Sequence, residues 1–342
     1  MTISPDHIRR VLQDERPATL EALAREAKEL TERQFGRTIA LYAPLYLSNF
    51  CSSHCTYCGF HSKNRITRFK LTPEQMHREM AFLARQGIEN VLLLTGESYK
   101  VTPLSYLKEA VGVARDYFPS IALEVHPMDE EDYRALFEAG ADGITVYQET
   151  YDRQRYTEVH LSGIKADYNF RYRAPARAAA AGMRTIAMGI LLGLADITED
   201  LCALYSHLRA MEKTYPGVEY SLSFPRLQPI KDVDFIRANV DDATFVKIIC
   251  LTRILFPRVG INLSTRETPA LRDRILEFGI TRMSAGSNTA VGGYTLIDRD
   301  RQDPQFDIED GRGVDDVVAM LKARNFDPVF TDWRRIQNEP AR

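Results

Sequence analysis

The sequence lacks the features of membrane, secreted and nucleic-acid-binding proteins. A membrane-spanning helix needs about 18 consecutive apolar residues, and no apolar run in this sequence is that long. Residues 1–17 are polar in character, so we expect no secretory leader and a cytoplasmic location. With 44 basic and 47 acidic residues the formal charge is −3, and this leaves no positive excess for binding nucleic acid or an anionic membrane.

Cysteine is scarce, and its placement is uneven. Of five cysteines, three fall in one C-x3-C-x2-C run, Cys51, Cys55 and Cys58, which follows an apolar segment. No fourth cysteine lies nearby, because Cys202 and Cys250 stand alone in helical patterns, where we expect reduced core thiols. Thiols kept reduced fit a cytoplasmic protein.

The missing fourth cysteine points to a metal cluster with an open iron. Three thiolates can hold three irons of a [4Fe–4S] cluster and leave the fourth iron free for an exogenous ligand. A structural zinc site would want four protein ligands. The spacing therefore predicts a [4Fe–4S] cluster that binds S-adenosylmethionine (SAM) and starts radical chemistry. Two alternatives stay open, a zinc site completed by His54 or His61 and a set of buried structural cysteines.

Strand and helix patterns alternate along most of the chain. Eight apolar segments read as strands buried on both faces. They are residues 38–48, 90–95, 121–125, 143–148, 185–191, 219–224, 260–265 and 282–284. Helices are predicted between them. Thr72, Thr102 and Thr268 each place a capping hydroxyl before a proline at the first helical position. The pattern predicts an α/β fold, a (β/α)8 TIM-type barrel.

We expect three regions. Residues 1–36 form an N-terminal extension of charged amphipathic helices, and residues 37–290 form the barrel. Residues 291–342 form a short C-terminal extension that closes it. In such barrels the chemistry lies at the C-terminal ends of the strands, and the cysteine run follows the first of them.

Candidate SAM-binding residues follow the second and fourth strands. Glu97 comes directly after Thr95 and Gly96, where its carboxylate could hold the ammonium group of a methionine moiety. Gln148 and Glu149 could accept hydrogen bonds from ribose hydroxyls. The alternatives are a helix-capping role for Glu97 and a salt-bridged strand end for the other two.

Further SAM candidates lie at the fifth strand and in the helix before it. Gly189 and Gly193 would let the backbone approach a flat adenine, since glycine has no side chain to block it. Arg171 could reach the SAM carboxylate, although three arginines on one helix, with Arg173 and Arg177, more often form a solvated face.

The last two strands end in candidate substrate-binding residues. Arg266 presents a planar fork that suits a carboxylate, and Ser264 precedes it on the same strand end. Ser284 ends the eighth strand. The alternative for Arg266 is a surface ion pair with Glu267.

Across these residues the sequence resembles the ThiH family of radical SAM tyrosine lyases, the 2-iminoacetate synthases. The resemblance runs from about residue 20 to the end of the chain. The motifs that carry it are PLYLSNFCSSHCTYCGF (44–60), LLLTGE (92–97), VYQETYDRQRY (146–156), YSLSFPRLQP (220–229), LSTRE (263–267) and SNTAVGGY (287–294). Within the first motif Tyr57 also matches, and we expect it at the cofactor.

The resemblance implies an activity. It implies a full barrel, a cluster on Cys51, Cys55 and Cys58, and SAM as the radical source. The expected reaction breaks the Cα–Cβ bond of L-tyrosine to give p-cresol and dehydroglycine (2-iminoacetate) for thiamine thiazole synthesis. The expected partners are the amino-acid substrate, a one-electron donor such as flavodoxin or ferredoxin, and the thiazole synthase ThiG, with no nucleic acid and no membrane.

One related function is disfavoured, and two alternatives stay open. The hydrogenase-maturation lyase HydG carries a further C-terminal cluster, and no cysteine follows Cys250 here, which argues against that function. A related radical SAM lyase could act on another aromatic amino acid such as tryptophan. His126, Gly286 and Asn288 depart from the usual ThiH residues at positions that could line the substrate pocket. A non-catalytic cluster- or zinc-binding scaffold would need neither Glu97 nor Ser264 nor Arg266.

Overall fold

The computed structural model describes residues 3–228, 238–296 and 303–330, and a ring of parallel strands forms its centre. In chain order the strands are β1 (Thr38–Ser48), β2 (His54–Cys55), β3 (Asn90–Thr95), β4 (Ser120–Glu124), β5 (Gly143–Glu149), β6 (His160–Ser162), β7 (Thr185–Ile190), β8 (Glu219–Ser223), β9 (Gly260–Leu263), β10 (Arg282–Ser284) and β11 (Asp327–Val329). Eight of them run in the order β1, β3, β4, β5, β7, β8, β9, β10, and β10 pairs with β1 to close the ring. The predicted eight-stranded barrel is confirmed.

The barrel strands match their predicted bounds closely because their sequences are nearly continuous apolar runs. The last six residues of β1 are all buried, because one face of the strand packs against the barrel interior and the other against the surrounding helices. Strands β1, β3 and β10 begin and end where the sequence predicts, and the others differ by one or two residues.

Helices cover the outside of the barrel. In chain order the α-helices are α1 (Pro5–Gln13), α2 (Pro17–Phe35), α3 (Pro73–Arg85), α4 (Leu104–Ala114), α5 (Glu130–Ala139), α6 (Arg153–Val159), α7 (Tyr168–Tyr172), α8 (Ala174–Ala180), α9 (Ile197–Thr214), α10 (Asp242–Leu255), α11 (Pro269–Ile275) and α12 (Val314–Ala323). The predicted N-terminal helices α1 and α2 pack against α9 and α10. Within the described ranges no helix is long and apolar enough to cross a membrane.

Two of the three predicted helix caps form. Thr72 Oγ1 accepts from Gln75 N–H at 3.3 Å while the Gln75 side chain accepts from Thr72 N–H at 2.8 Å, which makes a reciprocal capping box. Thr268 Oγ1 accepts from Leu271 N–H at 3.3 Å. The prediction at Thr102 is wrong, because its hydroxyl donates to the Ser98 carbonyl oxygen at 3.0 Å and Pro103 becomes the N-cap residue.

Three short strands lie outside the predicted barrel. The antiparallel pair β2–β6 joins the cysteine run to the segment that follows α6. Strand β11 pairs in parallel with the start of β1, so residues after the barrel extend its sheet. The predicted C-terminal extension, residues 291–342, is described at 291–296 and 303–330, and its other residues lie outside the described ranges. The three-region division itself stays a prediction.

Candidate active site in the barrel cavity

One cavity at the C-terminal ends of the barrel strands collects most of the residues singled out by the sequence. Its lining includes Cys51, Cys55, Tyr57, Cys58, Thr95, Gly96, Glu97, Glu149, Arg171, Ser264, Arg266 and Ser284. They come from six different strands or strand ends and from α7, so only the closed barrel brings them together. This is the end of the barrel where active sites form.

The cysteine run is held against the end of β3. Ser52 donates to the Glu97 carbonyl oxygen from both its N–H and its hydroxyl, each at 2.8 Å. Gly96 permits this close approach, since a Cβ there would overlap the Phe50 carbonyl oxygen. Burial raises the pKa of the Cys51 thiol to about 11 and that of Cys55 well above its usual range. Metal binding at these sulfurs must therefore displace protons.

Glu97 lies beside the thiols and keeps one oxygen free. Its Oε1 accepts from Arg171 Nη1 at 2.7 Å, and the Arg171 Nε donates to the Tyr147 carbonyl oxygen at 2.7 Å. Its Oε2 is buried and has no partner among the described residues. Burial alone would raise the pKa of Glu97, but the charges of Arg171 and Lys165 outweigh it and hold the pKa below its usual value. The side chain is thus an anion with one open acceptor.

Glu149 enters the cavity through a strained backbone. Its φ of 70° lies in the left-handed region, which is uncommon for a residue with a side chain and recurs at functional sites. The carboxylate pairs with Lys165, and Arg171 Nη2 lies 3.9 Å from the same oxygen. Glu97, Glu149, Lys165 and Arg171 therefore form one buried charge network.

Tyr57 is fixed by a buried histidine. Its hydroxyl lies 2.7 Å from His160 Nε2, and His160 Nδ1 lies 2.9 Å from the Tyr156 carbonyl oxygen. Burial lowers the pKa of His160 to about 2, so the ring is neutral, with Nδ1–H donating to the carbonyl and Nε2 accepting from the tyrosine. The Tyr57 ring packs with Leu191 and Leu227 into an apolar wall beside Cys55 and Cys58.

Arg266 lines the cavity without a carboxylate partner. Its guanidinium carbon lies 3.4 Å from the centre of the Phe306 ring, and within the described ranges no acidic side chain pairs with it. The predicted alternative was an ion pair with Glu267, but Glu267 instead accepts from Arg226 Nε at 2.9 Å. Ser264 Oγ accepts from the Arg266 N–H at 3.4 Å, which ties the two candidates together.

Three predicted SAM residues do not line the cavity. Gln148 lies between two lining residues, Tyr147 and Glu149, and the alternation of side chains along β5 turns it away. Gly189 is covered by the Tyr147 ring, which occupies the space its missing side chain leaves. Gly193 lies beyond β7, where its carbonyl oxygen accepts from Ala238 N–H at 3.0 Å.

Sequence reasoning missed several lining residues. Glu124 ends β4, and the rule used for the other strands, a polar residue at a strand end, would have found it. Tyr42 and Tyr46 lie inside β1, where alternation alone indicates an inward position but no chemistry. Gln305 and Phe306 come from beyond the barrel, and no sequence signal places them there.

The cavity fits a cluster and SAM. The three thiols line one wall, and neither His54 nor His61 lines it, so the structure does not assemble the zinc alternative. No group of three His, Cys, Asp or Glu side chains in the described part of the chain is arranged around a single ion. A cluster instead takes each thiolate on a separate iron. The free Oε2 of Glu97 supplies the acceptor that an ammonium group needs.

Two family models match the chain. Residues 45–206 match the model described as "Radical SAM superfamily", and residues 223–327 match the "Biotin and Thiamin Synthesis associated domain". The first range holds the cysteine run, Glu97 and Glu149, and the second holds Arg266 and Ser284.

Characterised relatives match over most of their length. The 2-iminoacetate synthase of Escherichia coli (strain K12) is 39% identical over 315 residues, which cover 92% of this chain and 83% of that protein. The enzyme of the same name from Salmonella typhimurium (strain LT2) is 38% identical and covers 97% and 88%. Among solved structures, the FeFe-hydrogenase maturase HydG from Carboxydothermus hydrogenoformans superposes with a TM-score of 0.90 at 32% identity, over 97% of this chain and 77% of that one.

Proposed function

The chain belongs to the 2-iminoacetate synthase family of radical SAM enzymes, and on that premise we propose that it cleaves the Cα–Cβ bond of L-tyrosine. The products are p-cresol and 2-iminoacetate, the dehydroglycine used in thiamine thiazole synthesis. The observation that carries this proposal is Arg266, a guanidinium without a carboxylate partner in the cavity that the three thiols also line.

The class of enzyme and its cofactors follow from family membership. The protein is a radical SAM lyase that uses a [4Fe–4S] cluster and SAM. When bound, the cluster and SAM supply the hydrogen-abstracting radical chemistry, which belongs to the cofactor rather than to the protein. The chain's own residues bind, orient and shield the reactants.

Cys51, Cys55 and Cys58 are the proposed cluster ligands. Ser53 N–H donates to Cys51 Sγ at 3.4 Å, and Gln305 Nε2 lies 3.8 Å from Cys58 Sγ. Donors of this kind to ligand sulfurs tune the reduction potential of a cluster. Cys202 and Cys250 lie outside the cavity lining and take no part.

The charge network beside the thiols is the proposed SAM site. Glu97 would accept from the SAM ammonium group through its free Oε2, while Arg171 orients Glu97. Glu149, held by Lys165, would accept from the ribose hydroxyls, and Tyr57 would contact the adenosyl group from the apolar wall. Thr95 and Gly96 line the cavity next to Glu97 and complete the site.

Arg266, Ser264 and Ser284 are the proposed substrate contacts. An arginine fork can bind a carboxylate through two parallel hydrogen bonds, and this fixes the orientation of an amino acid as well as its place. The Phe306 ring lies against one face of the guanidinium. Holding the carboxylate there would direct the substrate amino group toward the SAM side of the cavity.

The residues then need only keep this geometry while bonds change. The tyrosine nitrogen would give one hydrogen atom to the radical derived from SAM, which leaves as 5′-deoxyadenosine; the Cα–Cβ bond would then break, and the two-carbon part would leave as the imine. The hydroxybenzyl part takes up one electron and one proton and becomes p-cresol. We infer that a one-electron donor such as flavodoxin or ferredoxin supplies the electrons, and that the thiazole synthase ThiG receives the imine.

An anaerobic substrate panel tests the proposal. The reconstituted enzyme with SAM and a reductant is supplied with L-tyrosine, L-tryptophan or L-phenylalanine, and 5′-deoxyadenosine and aromatic products are measured by liquid chromatography. We expect p-cresol from tyrosine and no more than background cleavage of the other two. A larger yield of aromatic product from tryptophan than from tyrosine would overturn the assignment of the substrate.

A further inference from the structure

The cavity carries one carboxylate that no residue neutralises. Four glutamates line it, and three are paired: Glu97 with Arg171, Glu149 with Lys165, and Glu267 with Arg226. The fourth, Glu124, forms no ion pair or hydrogen bond with any group in residues 3–228, 238–296 and 303–330. Burial, and then the charge of Glu149, raise the pKa of Glu124 to about 7. Glu124 therefore presents a carboxyl group without a protein partner to the cavity.

Glu124 lies deeper in the barrel than the cysteines. It is the register partner of Leu94 in β3, and Leu94 pairs with Tyr46 in β1, whereas the cysteine run begins only after β1 has ended at Ser48. The rings of Tyr42 and Tyr147 line the same cavity, and burial, followed by the charge of Glu124, raises the pKa of both hydroxyls. The cavity thus has a thiol end with Glu97 and a deep end with Glu124.

The unpaired charges match the two ends of one substrate. Of the three cations in the lining, Lys165 and Arg171 are paired and Arg266 is not, within the part of the chain described. Arg266 and Glu124 form no ion pair, but the charge of each contributes to the pKa of the other. An amino acid whose carboxylate binds Arg266 and whose amino group faces the SAM end would then have the deep end, with Glu124, available for its ring.

A buried phenol needs a hydrogen-bond acceptor. The tyrosine hydroxyl stays protonated at neutral pH, and a buried hydroxyl without a partner is costly. We propose that Glu124 accepts a hydrogen bond from the phenolic hydroxyl of the bound tyrosine and thereby selects a hydroxylated ring over a bare one. This inference rests on the proposed function, because it takes the substrate to be tyrosine oriented by Arg266.

The proposal makes Glu124 a specificity residue. A site built to bond a substrate hydroxyl rejects the analogue that lacks it, since its own polar group is then left unpaired. Phenylalanine has the size and the amino-acid end of tyrosine but no hydroxyl. The ratio of tyrosine to phenylalanine affinity therefore reports on this contact alone.

The experiment measures that ratio by equilibrium binding. Tyrosine and phenylalanine are titrated into the reconstituted enzyme with SAM and without reductant, so that no turnover occurs, for the wild type, Glu124→Gln and Glu124→Leu. We expect the wild type to prefer tyrosine by about 10- to 100-fold, as for a hydrogen bond to a charged group. Glu124→Leu should bring the ratio close to one by weakening tyrosine alone, and Glu124→Gln, which keeps an acceptor of the same shape, should retain an intermediate ratio.

Two results would overturn the inference. An equal loss of affinity for tyrosine and phenylalanine in Glu124→Leu would place Glu124 at the amino-acid end of the substrate. An unchanged ratio in both variants, with normal iron content and SAM affinity as proof of folding, would leave Glu124 without this contact. Either result leaves the proposed function standing if the wild type makes p-cresol, whereas a wild type that makes none refutes the proposed function itself.

Discussion

At the residue scale, the central feature is a set of charges that remain unsatisfied inside a buried network. Glu97 has one oxygen engaged by Arg171 and one free, and Arg266 has no acidic partner among the described residues. Leaving such groups unpaired in a closed cavity is costly unless a ligand completes them. They therefore indicate where charged parts of ligands bind.

Replacing Glu97 with glutamine should weaken SAM binding. The amide keeps the shape but removes the charge that attracts the SAM ammonium group, and a hydrogen bond to a charged group contributes about 1.5–3 kcal/mol. We expect the Kd for SAM, measured anaerobically by equilibrium dialysis, to rise by about tenfold or more while iron content stays normal.

Glu267→Gln provides the control for Glu97. This glutamate also lines the cavity and also pairs with an arginine, but at the Arg226 side. The affinity of the Glu267→Gln variant for SAM should stay near that of the wild type. Equal SAM affinity in Glu97→Gln and the wild type would contradict the assigned role.

Sequence reasoning succeeded at residues whose chemistry shows in their spacing or position. The C-x3-C-x2-C run, Glu97 beside Gly96, and Arg266 at a strand end all line the cavity. The sequence did not indicate which charged side chains would form ion pairs, since Lys165 and Arg171 pair with glutamates that are not their sequence neighbours. The position of Glu124 at a strand end was visible in the sequence, but its lack of a partner shows only in the folded structure.

At the element scale, the cysteine run is a loop held mainly by one arginine. Arg68 donates to the carbonyl oxygens of Asn49, Phe60 and His61 at 2.6, 2.8 and 2.7 Å, and to that of Asn64 at 3.2 Å. These carbonyls lie on both sides of the three cysteines. Arg68 thus joins the entry of the loop to its exit.

Arg68→Met should loosen the loop and speed the loss of iron. The substitution keeps an apolar stem but leaves the carbonyl oxygens without their shared donor, at about 1–3 kcal/mol for a buried group left unpaired. We expect the anaerobically reconstituted variant to release iron to a chelator several-fold faster than the wild type, as followed by the visible absorbance of the cluster.

The exposed Arg65 of the same loop supplies the matched control. Arg65→Met removes the same charge near the cysteines, and we expect iron release at the wild-type rate. If both variants lose iron equally fast, the effect comes from charge and not from the bonds that Arg68 makes.

Long elements were predictable and short ones were not. Strand β1 is indicated by an 11-residue stretch of mostly apolar side chains, and its bounds were predicted correctly. Strands β2 and β6 have two and three residues, too few for any period to appear, and they exist because the cysteine run packs against the segment after α6. Thr102 failed as a cap because a nearer acceptor, the Ser98 carbonyl oxygen, takes its hydroxyl.

At the scale of the whole molecule, the segment after the barrel helps to line the candidate active site. Gln305 and Phe306 line the cavity, β11 extends the barrel sheet, and Asp310 forms a fully buried ion pair with Arg272 of α11. Arg272 also donates to the carbonyl oxygen of Ser284 at the end of β10. The pair therefore fixes this segment to the barrel next to a proposed substrate contact.

Asp310→Asn should destabilise the protein. Removing one partner of a buried pair leaves an uncompensated charge, at about 3–5 kcal/mol. We expect the thermal unfolding midpoint at pH 7 to fall by several degrees, as measured by circular dichroism. Burial raises the pKa of Asp310, but Arg312 and Arg272 outweigh it and lower the pKa overall. The Asp310 carboxylate therefore stabilises the folded state fully above the unfolded pKa of about 3.9. This stabilisation is lost as the pH falls through the lower folded pKa.

Asp273 allows a control in the same network. It pairs with Arg312 at 2.8 Å, and both side chains keep about a fifth of their surface exposed, at 19% and 22%. Asp273→Asn should cost about 1 kcal/mol or less, as for other solvated pairs. An equal loss of stability in the two variants would show that the burial of Asp310 does not increase its contribution to the free energy of unfolding.

The most direct test of the account is the coupling of SAM cleavage to tyrosine cleavage in Arg266→Lys. Lysine keeps the positive charge and loses the planar fork, so the substrate carboxylate is held in a less defined place. Misplacement by about 1 Å costs about a hundredfold in rate. With tyrosine, SAM and reductant under anaerobic conditions, we expect p-cresol formed per 5′-deoxyadenosine to fall by about ten- to a hundredfold, while 5′-deoxyadenosine itself continues to form. A variant that makes p-cresol at the wild-type ratio and rate would show that the tyrosine carboxylate binds elsewhere.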